Sequence, residues 1–135
     1  KGITMDSLAL MITALLFGGM TLYSFGFAAF VFNALPAKTA GPLIRRAFPL
    51  FYLFVLACSL TAALFLIPQD QLAAGIMIGI ALSTVYARQS LMPAINAATD
   101  SGQTTRFKWL HGLSVAITMA QIVAAAVVIL RLAGG

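Results

Sequence analysis

The chain has 135 residues, of which 61% are hydrophobic and only 8% charged, with a net charge of +5. A soluble domain carries about 25% charged residues because it must present polar surface to water. This composition excludes that class and fits a chain whose outward positions face lipid. The basic residues lie at the ends of apolar runs, so their surplus reads as orientation in a bilayer rather than as a nucleic-acid surface. The single cysteine, Cys58, leaves no intrachain disulfide and no thiolate metal cluster.

The first apolar run extends from about Ser7 to Phe32. It is about twice the roughly 7–15 residues of a signal-peptide core and ends at Asn33–Ala34–Leu35–Pro36, which predicts a retained transmembrane helix. Residue 1 is Lys rather than Met, which points to a trimmed or incompletely read start. Gly18, Gly19 and Gly26 mark a face for close helix packing, with Gly19 and Gly26 seven apart and therefore on one side.

Pro36 to Gly41 reads as a connection, and a second helix is expected from Pro42 to about Ile67, with Pro in its first turn. Arg45 and Arg46 follow. Pro49 leaves the Arg45 carbonyl without its donor, so a kink or wide turn is expected. Phe48, Phe51, Tyr52 and Phe54 read as interfacial and packing residues. The connection Pro68–Gln71 is short enough to force antiparallel neighbours. A third helix, from Leu72 to about residue 95, carries Gly75, Gly79, Ser83 and Ala87 at four-residue spacing, a small-residue ridge suited to a tight helix contact. It is expected to be disturbed at Pro93. Residues Asn96 to Thr105 are polar, with a turn at Asp100–Ser101–Gly102. A fourth helix is expected over 104–132, capped by a Thr. The fold class is therefore an all-α membrane protein: one domain of four transmembrane helices in an antiparallel bundle.

Four spans put both termini on one side. The first and third connections, with the adjoining helix ends, hold Lys38, Arg45, Arg46, Arg88, Arg106 and Lys108, whereas the opposite side holds Lys1 and Arg131 with Asp6 and Asp70. The positive-inside bias places the basic connections in the cytoplasm and both termini outside, in a bacterial inner membrane by expectation. The least demanding partner for those cations is the anionic lipid headgroup. Arg45, Arg106 and Lys108 are expected to snorkel to lipid phosphates. Arg88 either does the same or lies inside its helix, and for it, as for Arg45 or Arg46 if these lie inside theirs, the acceptors on offer are Asp100 and the free carbonyls near Pro49 and Pro93.

His111, Ser114, Thr118 and Gln121 fall on one face of the fourth helix. A polar stripe reaching mid-membrane should face the bundle interior. It could line a path for a small polar solute or a proton, or it could simply bond neighbouring helices. Catalysis is not expected. One His excludes a two-histidine haem site within one chain, there is no Glu, and no GxxxxGK phosphate loop occurs. No cofactor or metal is expected.

The chain also resembles the transmembrane protein 205-like proteins. The likeness rests on Gly18–Gly19, Ala34–Leu35–Pro36, Phe48–Pro49 with Tyr52, Met92–Pro93, and Arg106–Phe107 with Leu110–His111–Gly112–Leu113–Ser114. The resemblance implies a four-helix integral membrane protein and carries over His111 and Arg106 as matching positions, with no reaction, substrate or role. The expected function is a non-catalytic accessory or packing subunit of a membrane complex, or a homo-oligomer. The alternative is a small carrier or channel lined by the stripe.

Overall fold

The structure is a computed structural model that describes residues 4–134. It consists of four helices, α1 (Met5–Ala34), α2 (Ala37–Leu66), α3 (Gln71–Asp100) and α4 (Thr104–Gly134), each long and apolar enough to cross a membrane. At 1.5 Å per residue such a helix is about 45 Å long, enough for the hydrocarbon core and both headgroup layers. Helix α1 packs on α2 and α4, and α3 packs on the same two, which closes an up-and-down ring of four. The basic end of the bundle gathers the end of α1, the start of α2, the end of α3 and the start of α4. Lys1, counted above on the opposite side, lies outside the described residues.

The interior is built from small and flexible side chains. Ala9, Leu16 and Met20 of α1 meet Val55, Cys58, Ala62 and Leu66 of α2, Ala73, Met77 and Ile80 of α3, and Ala125 and Val128 of α4. Spacings of three and four keep each set on one helical face. Alanines let the backbones approach, which is how helices gain contact where lipid competes equally well for apolar surface. The outward positions carry Leu15, Phe25, Phe30, Leu50, Leu64, Leu82 and Leu130, all exposed. In water these would be a liability; in a bilayer they are the solvated surface.

The helix limits differ from those expected, for identifiable reasons. Helix α2 starts at Ala37 rather than Pro42, so Lys38 to Gly41 belong to it. Pro36 takes φ −58° and ψ 149°, and its carbonyl already accepts from the Thr39 and Ala40 N–H groups at 2.9 Å. Helix α3 continues past residue 95 to Asp100. Ahead of Pro93, residues Ala87–Leu91 widen into a π-helical turn, with the Met92 N–H donating to Ala87. The wider turn relieves the clash a proline ring makes with the carbonyl four residues back, so the helix bends its register instead of stopping. It ends where the Gln103 N–H reaches Ala98 (2.9 Å) and the Gly102 N–H reaches Thr99 (3.2 Å). This paired closure needs a left-handed residue, and Gly102 supplies it at φ 71°. A second π turn, Leu22–Phe27, interrupts α1. Asp70 caps α3 by accepting from the Ala73 N–H at 3.1 Å.

Candidate functional site

The polar stripe of α4 divides along its length. Gln121 is buried, and its Nε2 donates to Ser83 Oγ (2.8 Å), Thr84 Oγ1 (3.1 Å) and the Ile80 carbonyl (3.3 Å) of α3. The two hydroxyl protons are already spent: Ser83 donates to Gly79 and Ile80, and Thr84 donates to Ile80. Only lone pairs remain on those oxygens, so the donor side of the amide must face them. Ser114 is half-buried beside the Tyr52 hydroxyl of α2, and Thr118 is half-buried. His111 is exposed, stacked parallel on Phe107 with ring centroids 5.5 Å apart. The stripe therefore runs from the outside at His111 to an interhelical node at Gln121, whose amide nitrogen is fully engaged with α3.

A second polar feature lies nearer the basic end. Tyr23, Pro49 and Arg88 each stand roughly 17–18 Å from that end of their helices, counted at 1.5 Å per residue. The Tyr23 ring stacks on Phe51 at 4.1 Å and meets Phe48 edge-on at 5.4 Å. Its hydroxyl is buried without a hydrogen-bond partner. An orphaned buried hydroxyl is uncommon because desolvation is uncompensated. Arg88 is half-buried, reaching the Pro49 carbonyl only at 3.5 Å while its Nη1 donates to Gln89 Oε1 at 3.0 Å. Both π turns fall at this level, Tyr23 in one and Arg88 in the other. The aromatics of α2 are thus an inward cluster rather than an interfacial belt: Phe51 and Tyr52 are buried, and Phe48 and Phe54 are half-buried. Sequence periodicity did not single out Tyr23. The signal was a Tyr–Ser pair in mid-helix beside Gly26.

The charged residues also rearrange. Arg45 does not snorkel. Its guanidinium donates twice to Asp100, Nη1 to Oδ1 and Nη2 to Oδ2, each at 2.8 Å. At the far end Arg131 of α4 donates to Asp70 at 2.9 and 3.1 Å. That guanidinium, with the Ala73 N–H behind it, holds the Asp70 carboxyl below its ordinary range. Lys38, Arg46, Arg106 and Lys108 are exposed and form no ion pair among the described residues. Nor do three or more His, Cys, Asp or Glu side chains come together among those residues.

The small residues divide likewise. A β-carbon built on Gly19 would lie 2.6 Å from Phe54 Cε2, so this glycine seats α1 against α2. Gly26 meets only Leu22 of its own helix, and Gly18 meets nothing within 4 Å. The expected common face of Gly19 and Gly26 is broken by the intervening π turn. Along α3, Ala87 is buried and Ser83 half-buried. A β-carbon on Gly75 or Gly79 would meet nothing within 4 Å.

Residues 11–104 match a family described as Domain of unknown function (DUF4149), and the chain belongs to that family. Nothing in this match links it to the transmembrane protein 205-like proteins. No curated protein and no solved structure matches the chain.

Proposed function

We propose that this member of the DUF4149 family is a non-catalytic integral membrane protein that works by packing, against another membrane protein or a second copy, through α3 at Gly75 and Gly79. One observation carries the reading. Both glycines weaken a helix by about 1 kcal/mol relative to Ala, yet neither is used within the chain, since each faces open space. Small residues spaced four apart on an open transmembrane face suit close approach by another helix. Ser83, next on that ridge, is turned inward by Gln121.

A carrier lined by His111, Ser114, Thr118 and Gln121 is the weaker reading. It needs a continuous polar lining, whereas Gln121 is spent on α3 and His111 faces outward. The transmembrane protein 205-like kinship belongs to the same proposal, because its sharpest block, Leu110–Ser114, lies outside the matched residues. So does the orientation, with the basic end cytoplasmic and both termini outside a bacterial inner membrane. The cations without acid partners at that end support it.

Gly79→Leu is the test. In purified protein the substitution enters open space, so the melting temperature in mild detergent should hold. Co-purification of the partner or the second copy from native membranes should fall away. A monodisperse wild-type monomer, with Gly79→Leu silent in membranes, would sink the proposal.

A further inference from the structure

The outer face of α4 carries a feature that neither the bundle nor the α3 contact uses. Thr105, Lys108, Trp109, Gly112 and Leu113 line a shallow shelf of about 470 Å³. Their spacing of three and four puts them on one side of the helix, opposite the side that carries Phe107, Ser114, Thr118 and Gln121. Trp109 is 78% exposed, the most exposed of the large apolar side chains among the described residues. The floor of the shelf is Gly112, where a β-carbon would meet nothing within 4 Å, so internal packing does not call for glycine there. A leucine would suit plain lipid contact and a helix better. The glycine makes sense if something outside the chain sits between Lys108 and Trp109.

The charge balance says what that is. Among the described residues the acids are Asp6, Asp70 and Asp100; Asp100 is taken by Arg45 and Asp70 by Arg131. Asp6 lies at the opposite end of the bundle. The basic end is left with cations and no free carboxylate, and Lys108 on the shelf and Arg106, next to Thr105 in the chain, are both among them. Trp, Lys and a hydroxyl at one level of a transmembrane helix form an amphipathic set for the headgroup layer. We infer that this shelf seats an anionic phospholipid, its phosphate against Lys108 and the Thr105 hydroxyl, its glycerol and upper acyl chain over Gly112 and against Trp109.

The chain's single tryptophan reports directly on the shelf. The full chain in mild detergent is offered equal phosphatidylglycerol and phosphatidylcholine, and retained lipid is counted by native mass spectrometry while Trp109 emission is recorded. Wild type should retain phosphatidylglycerol preferentially, with a blue-shifted emission. Lys108→Gln should cut the preference about fivefold, the usual effect of one cation near an anionic surface. Gly112→Leu, which fills the shelf from outside, should abolish both the preference and the emission shift while leaving the melting temperature intact. Arg46→Gln, a cation at the same end on another helix, should change neither. Equal retention of the two lipids would overturn the inference. So would equal losses in Lys108→Gln and Arg46→Gln, which would mean a diffuse charge effect, or an emission shift with inorganic phosphate alone. Gly112 and Gly79 lie on different helices, so this result stands apart from that of the α3 contact.

Discussion

Arg45 and Asp100 join the first third of α2 to the end of α3 through two parallel hydrogen bonds of 2.8 Å. The fork geometry fixes direction as well as distance, which a Lys could not do. Both side chains are substantially exposed, at 43% and 60%, so the pair should contribute register more than stability. Arg45→Asp and Asp100→Arg should each loosen this end of the bundle. The double exchange should restore it, read as crosslinking efficiency between cysteines introduced at the two helix ends. Additive losses in the exchange would refute the pairing.

The Asp70–Arg131 pair should be visible in the pH dependence of stability. Its guanidinium lowers the Asp70 carboxyl from the ordinary value of 3.8. A depressed carboxylate contributes fully above its unfolded value and loses that contribution as pH falls through the folded one. Wild type should therefore lose a small increment of melting temperature on acidification below about 3.8 that Asp70→Asn lacks. Asn keeps the helix cap, so the difference isolates the charge. Arg131→Gln should remove most of it and leave the part that the Ala73 N–H sustains.

Adjacent glycines in α1 should respond oppositely. Gly19→Ala drives a methyl into the Phe54 ring and should cost on the order of 1–3 kcal/mol, as overpacking does. Gly18→Ala meets open space and should be neutral, or stabilising by up to about 1 kcal/mol. Thermal melts in one detergent compare them directly.

Tyr23→Phe should not destabilise. The hydroxyl is buried with no partner, so removing it while keeping the stacked ring should gain on the order of 1 kcal/mol. A loss of that size would mean that the oxygen has a bound partner in the membrane.

Four spans, their antiparallel order and the turn near Gly102 were legible because long apolar runs and turn residues are local signals. The extra length of α3 was not. Pro93 reads as a breaker in sequence, and only the register change at Ala87–Leu91 lets the helix pass it. The α4 stripe was readable as a face, but only three dimensions show that the amide nitrogen of its inner end, Gln121, is already engaged with Ser83 and Thr84. Arg45 and Asp100 are far apart in the chain, so no periodicity could pair them. Tyr23 was missed because an aromatic in an apolar run looks like any other packing residue.

The two ion pairs share one helix. Asp70 and Asp100 stand at either end of α3, one tied to α4 and the other to α2, and Gln121 adds a third tie at mid-height. Helix α3 is thereby pinned against both sliding and rotation. Helix α1 has no such tether among the described residues. Among the described residues its hydroxyls Thr13 and Thr21 bond only to α1's own backbone, and it carries a π turn of its own. Mechanically, the bundle is a rigid three-helix frame with a fourth stave held by surface fit alone. Amide exchange should reach that stave first.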